Sequence, residues 1–309
     1  MFLIRFLAWR VASALVLVFA VASGAMLLAQ MAPGDYASEF GRDPAQVAAE
    51  RHRLGLDRPI AEQYAQWLRR TMTLDLGVSL QTELPVASLV RDRALNTAVL
   101  AAAALLVATL VGIPCGIVTG SRRGGVGPRL LRAGSLVLLS VPPLIGSLGL
   151  LTIAAATGWL PVSGMGGVRH LIVPTLALAL PVAATLERLQ SQAIADVLQR
   201  PAAIAARARG ISVMRVVWRH AWRQSLGPVL AVYGIIVGSL FSGSFAVELV
   251  TSWPGLGALM LEALKARDTN LVAGCAAAGA AFLAAGILAA DVAHVLLDPR
   301  LALDGAPHG

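Results

Sequence analysis

Lysine is all but missing: Lys265 is the single one among 25 basic residues. A phosphate-cradling loop of the form G-x-x-x-x-G-K-[ST] needs a lysine directly after glycine to reach the phosphates. Lys265 follows Leu264. ATP hydrolysis by that motif is therefore excluded, and any ATP must be hydrolysed by a partner. Charge of either sign is scarce as well, at 14% of residues against roughly 25% in a soluble globular domain. The two cysteines, Cys115 and Cys275, both fall inside apolar runs. They offer neither a disulfide framework nor a metal-ligand spacing, so they read as small buried residues. No metal and no cofactor is expected.

What fills the chain is apolar: 57% of 309 residues, with a mean hydropathy of +0.73. That composition makes lipid the main solvent. The net charge of +8 could suggest a nucleic-acid partner. The arginines, however, sit in short loops beside apolar runs, a distribution that fits membrane topology and not a duplex-binding face. A helical crossing of the bilayer needs about 20 apolar residues. Six runs supply it, at about 9–31, 94–119, 133–157, 171–195, 228–250 and 272–296. The first stays uncharged from Val11 to Gly34, longer than the 7–15-residue apolar core of a signal peptide, and reads as an uncleaved span.

Arginine placement orients these spans. The loop "SRRGGVGPRLLR" (121–132) holds four arginines and no acid, and 187–225 holds seven arginines against Glu187 and Asp196. Segments 158–170 and 252–272 carry almost no net charge, and 32–93 sets eight arginines against nine acids. Short arginine-rich loops stay in the cytosol. Both termini are thus expected inside, with 32–93, 158–170 and 252–272 outside. The expected organisation is 1–31 as N-terminus and first span, 32–93 as an extracytoplasmic cap, and 94–309 as a five-span core. Within the cap, "AEQYAQWLRRTM" reads as an amphipathic helix with Tyr64, Trp67 and Leu68 on one face. The spans are interrupted, by Pro142-Pro143 in the third, Pro174 and Pro181 in the fourth, and glycines at 234, 238 and 243 in the fifth. Freed carbonyls and close helix approach suit a protein that encloses a path.

The basic segment 196–227 is the most informative. Pro201 suits a first helical turn, and Ala202 to Arg209 favours helix. Gly210 fits a C′ stop, and Ser212 the N-cap of a second helix. There Arg215, Arg219 and Arg223 form one stripe beside an apolar face of Met214, Val217, Trp218, Ala221 and Trp222, and Gly227-Pro228 is expected to close the unit. The basic and apolar faces suit a membrane surface; the small side chains of the first helix suit insertion into a protein groove.

"AARARGISVMRVVWRHAWRQSLGPVL" resembles the cytosolic loop of permease subunits of ATP-binding-cassette importers, closest to the dipeptide/oligopeptide/nickel branch. "APGD", "RLGLDRPIAEQYAQWL", "LDLGVSLQTELPV", "NTAVLA", "GIPCGIVTG", "SVPPLIGSLG", "GWLPVSG", "HLIVPTLALALP", "VELVTSWPGLG" and "LLDPR" follow that branch in order. The sequence departs from it at Pro201-Ala202, Pro143-Leu144 and Ser191. The resemblance implies an all-α, six-span fold of the type I importer permease architecture, in the plasma (inner) membrane. It implies a second homologous permease subunit, two cytosolic ATPase subunits and an extracytoplasmic substrate-binding protein as partners, with no nucleic acid. Ala206, Arg207, Gly210, Arg219 and Pro228 fall on motif positions of its coupling loop. Ala206, Arg207, Gly210, Arg215 and Arg219 are therefore expected to couple to the ATPase, with Ala206 in a tight groove of that partner. Pro142, Pro143, Trp253, Pro254 and Gly255 are expected at the path or its mouth, with a short re-entrant or interfacial helix following Gly255. Cargo is expected to be a di- or oligopeptide, with a nickel chelate or another small solute as the alternative.

Two other classes fit less well. An intramembrane protease would need Ser242 or Ser244 within reach of a base, and His294 is expected at a different depth. An ion-coupled carrier would place ionisable groups mid-membrane, whereas Glu187, Glu248 and Asp291 are expected toward span ends.

Overall fold

The computed structural model describes residues 2–39, 43–122 and 124–297, with the side chains of 2–7, 39, 220 and 293–297 left aside. Every regular element among them is helical. In chain order these are α1 (Phe2–Met31), α2 (Tyr36–Glu39), α3 (Pro44–Leu54), α4 (Ile60–Met72) and α5 (Val86–Ser121). There follow α6 (Val126–Ser140), α7 (Pro143–Thr157), α8 (Val168–Leu198), α9 (Pro201–Ala208) and α10 (Val213–Val216). A π-turn (Val217–Ala221) leads into α11 (Trp222–Ala231), then α12 (Tyr233–Thr251), α13 (Leu256–Lys265) and α14 (Thr269–Leu297).

Five helices are long and apolar enough to cross a membrane. The third expected span, 133–157, is broken: α6 and α7 meet at Pro142-Pro143 with a bend of 108°. The cause is local. Pro142 is extended at φ −59°, ψ 145°, and Pro143 starts a new helix at its first position, where proline's missing N–H costs nothing. The C-terminal ends of the expected spans hold within three residues, but α1, α5 and α6 begin seven or eight residues earlier than expected and α12 begins five later. From Val86, α5 reaches well past an apolar core about 30 Å thick.

The chain packs as two compact units, which divide inside α5, after Trp253 and again inside α14. One contains the described residues up to Ala98 together with Pro254–Ala284. There Ala22 and Met26 of α1 are buried with Trp67 of α4 and Ala273 of α14. Tyr64 donates from its hydroxyl to Ser23 Oγ (3.2 Å), and the Phe19 and Tyr64 rings stack on Trp67. The amphipathic helix expected from "AEQYAQWLRRTM" is thus seated by the three side chains that defined its face. Asp268, fully buried, accepts from Ser79 Oγ (2.6 Å) and from Leu271 N (3.0 Å), so it caps α14 and holds the 78–85 turn at once. The start of α13 is tied to α5 by Thr97 Oγ1, which accepts from Leu256 N (2.8 Å), and by Asn96 Nδ2, which donates to Pro254 O (2.7 Å).

The other unit runs from Val99 to Trp253 and resumes at Ala285. Its main core joins Leu100, Ala104 and Ala108 of α5 to Leu178, Val182 and Leu186 of α8 and to Leu240 and Val247 of α12. Below this core α5 and α8 approach backbone to backbone. A Cβ on Gly112 would stand 2.6 Å from Ala183 O, one on Gly116 2.6 Å from Glu187 O, and one on Gly120 2.5 Å from Ser191 O. Glycines four residues apart lie on one helix face, and their missing side chains permit the contact.

Candidate functional site

Segment 201–231 is built as two helices about an elbow. Arg200, extended at φ −67°, ψ 148°, precedes Pro201 at the first helical position. At the other end Gly210 is left-handed at φ +85°. Its N–H donates to Arg207 O (2.9 Å), and Ile211 N–H donates to Ala206 O (3.2 Å). This pair of bonds is a Schellman closure, which satisfies carbonyls the helix end would orphan. Gly210 has open space around its Cα. What fixes glycine there is the backbone angle, not crowding.

The short helix buries one side only. Ala203 and Ala206, three residues apart, pack with Ile117, Ile194, Val197, Leu198, Val216, Val217 and Ala221. Ala206 is 8% exposed. It roots α9 on its own chain, contrary to the expectation that it faces a partner's groove, because the three-residue spacing sets it on the same face as Ala203. The exposed positions of α9 are Pro201, Ala202, Ile204, Ala205, Arg207 and Ala208. Arg207 lines a cavity of about 280 Å³ with Gly120, Ser121, Ala195, Leu198, Gln199 and Val213. There it stands beside the carboxyl ends of both α5 and α8, the negative poles of two helix dipoles.

The second helix departs from expectation in three ways. Ser212 is extended (φ −62°, ψ 144°) as an N-cap should be, but its hydroxyl makes no capping bond. A π-turn at 217–221 inserts one residue into the spiral, which rotates the face presented by every later residue of the helix. Arg215, Arg219 and Arg223 nevertheless all remain exposed. On the apolar side Val216, Val217 and Ala221 are buried while Trp218 is 58% exposed, its ring 6.5 Å from that of Trp222. Finally, Gly227-Pro228 does not close the unit. Both lie within α11, whose Ser225 and Val229 are buried on either side of them, and the break comes at Val232.

The expected path residues have different surroundings. Pro142 is exposed and Pro143 half-buried, its ring 3.6 Å from where a Cβ on Gly243 of α12 would stand. Trp253 is 4% exposed and packs in the main core. Its N–H donates to Glu248 O (2.9 Å) once Ser252 turns left-handed at φ +53°. It anchors the end of α12 and does not line an opening. Pro254 accepts from Asn96, Gly255 precedes α13 in extended conformation, and α13 buries Leu256, Leu259 and Ala263.

Of the rival chemistries, Ser244 is buried and its hydroxyl donates to Phe241 O (2.8 Å); the His294 side chain lies outside the described residues. Glu187 is 2% exposed within α8 and stands beside the last turn of α5, where Thr119 donates to it; hydropathy windows do not register that burial. The run Gly112, Gly116, Gly120 was also missed as a helix-packing face, although its four-residue spacing is plain within "GIPCGIVTG".

Comparison with known proteins places these features in context. The family model described as binding-protein-dependent transport system inner membrane component matches residues 112–303. Its N-terminal companion matches residues 3–101. A putative peptide permease protein of Brucella ovis is 31% identical over 293 residues, covering 89% of this chain and 92% of that protein. The glutathione transport system permease protein of Escherichia coli is 31% identical over 258 residues (82% and 84%). The dipeptide transport system permease protein of Lactococcus lactis is 29% identical over 303 residues (97% and 100%).

Proposed function

This chain belongs to the family of binding-protein-dependent transport system inner membrane components, and from that premise we propose that it works as the membrane permease subunit of an ATP-driven importer of short peptides. The observation that carries the mechanism is α9: a short alanine-rich helix, rooted through Ala203 and Ala206, closed by left-handed Gly210, and bare along its outer face. Mostly small side chains on a rooted helix fit a cleft in a rigid partner, because few long rotamers besides that of Arg207 need ordering on contact. The partner is an ATPase subunit in the cytosol, the side on which the arginine-rich loops place both termini. Two such subunits hydrolyse ATP, since the sequence carries no phosphate-cradling loop of its own. A second homologous permease encloses the path, and a binding protein outside delivers the cargo. Closure of the ATPase dimer moves α9 and its elbow, and the spans turn the path outward. Peptide cargo is supported by the relatives named for peptide, dipeptide and glutathione, itself a tripeptide.

The test is ATP-dependent uptake by proteoliposomes holding this chain with its own second permease, ATPase subunits and binding protein. Labelled dipeptide should accumulate only with ATP on the ATPase side and binding protein on the other. Uptake by the permeases alone, driven by a proton gradient, would instead make the protein a secondary carrier.

A further inference from the structure

Glu187 and Gln190 lie one turn apart on α8 and are 2% and 0% exposed. Burying a carboxylate and an amide at this depth is costly unless both are hydrogen-bonded. Each reaches a different neighbouring helix. Thr119 Oγ1 of α5 donates to Glu187 Oε1. Gln190 Nε2 donates to Ser225 Oγ of α11 (2.7 Å), and Ser225 Oγ donates in turn to Trp222 O (2.8 Å). Arg132 of α6 donates to Thr119 O, closing the carboxyl end of α5 into the same group. The tight glycine crossing brings α5 near enough for this: a Cβ on Gly116 would collide with both Glu187 O and Gln190 Cβ. Two oxygens in the group, Glu187 Oε2 and Gln190 Oε1, are buried with no hydrogen-bond partner. Open buried acceptors are rare and require a cause.

We propose that Glu187 and Gln190 are positioning residues that pass movement of segment 201–231 into the α5–α8 pair, and that their open oxygens are the acceptors of a second arrangement. This rests on the reading of α9, at the start of that segment, as the element that docks the ATPase. A displacement of α9 is carried by its elbow and the π-turn to α11, where Ser225 meets Gln190. Apolar faces can slide past one another, but a 2.7 Å hydrogen bond is directional and resists sliding. When α11 shifts, the Ser225 hydroxyl turns from Trp222 O to Gln190 Oε1, and the Thr119 hydroxyl has Glu187 Oε2 as its alternative to Oε1. The link survives in both positions. α8 is suited to distribute the movement because it packs on α6, α7, α11 and α12.

The assembled complex in lipid nanodiscs and proteoliposomes tests this, with ATPase co-purification, basal hydrolysis and dipeptide uptake per ATP as readouts. Gln190→Leu and Ser225→Ala should retain the ATPase subunits and basal hydrolysis within about twofold, while uptake per ATP falls at least about fivefold, the low end of ordinary coupling between sites. Ser225→Thr, which keeps the hydroxyl, should restore it. If Gln190→Leu fails to assemble, Ser225→Ala decides alone, since it removes a single oxygen. Wild-type uptake per ATP in Ser225→Ala overturns the relay and leaves the docking reading intact. A wild-type complex that binds no ATPase overturns the docking reading itself.

Discussion

Gly116 shows what one missing side chain contributes here. A methyl group at this position would press on a carbonyl oxygen and a Cβ of α8, each 2.6 Å away, and neither can rotate aside. Helices in lipid associate through close packing, with no hydrophobic drive between them, so parting α5 from α8 is not offset elsewhere. Gly116→Ala is expected to cost about 1–3 kcal/mol, the usual penalty of overpacking. Gly149→Ala on α7, where a Cβ would meet nothing within 4 Å, should be silent. Thermal inactivation followed by fluorescence-detected size exclusion checks the pair; equal midpoints would mean the crossing is not tight. The glycine spacing was legible in the sequence. The burial of Glu187 was not, because an isolated acid in an apolar run says nothing about which helix it faces. The burial of Trp253 was not legible for a related reason: a Trp-Pro-Gly turn signals a change of direction but not whether its indole points into the core.

The elbow at Gly210 is the element in which sequence and structure agree most fully, since proline, alanines and glycine each enforce a local rule without help from distant contacts. The helix after it agrees less. A π-turn has no signature in Val-Trp-Arg-His-Ala, and Pro228 ends nothing because buried neighbours hold its turn. The two faces of α9 predict separable outcomes. Ala205→Trp, on the outer face, should leave the thermal midpoint of the purified chain unchanged and reduce co-purified ATPase severalfold. Ala206→Trp should lower both, because the indole must displace Ile194, Val216 or Val217. Gly210→Val should cost about 1–2 kcal/mol through its left-handed backbone and weaken ATPase retention with it. Quantifying ATPase subunits in pull-downs at matched expression distinguishes these. Full retention in both Ala205→Trp and Gly210→Val would remove α9 from the docking interface.

At the scale of the whole molecule the spans were readable because lipid imposes length and composition together. The two compact units were not, because the division falls inside a continuous helix. The expected orientation rests on arginine placement alone, and the chain's composition offers a direct test of it. Lys265 is the only lysine, it is exposed, and it closes α13 in the segment assigned to the outside. A membrane-impermeant amine reagent applied to right-side-out vesicles should therefore modify the unaltered chain, and Lys265→Arg should abolish that label. A second site guards against shielding of Lys265 by a partner. With Cys115 and Cys275 replaced by alanine, Asp57→Cys, exposed beyond α3, should react with an impermeant maleimide from outside. Gly124→Cys, in the arginine-rich loop with open space around it, should react only after the vesicles are opened. Four arginines in 121–132 make this the firmest assignment, because each positive charge resists translocation separately. Reaction of Gly124→Cys in sealed right-side-out vesicles, with Lys265 and Asp57→Cys silent until opening, would invert the topology and move α9 to the side where no ATP is found.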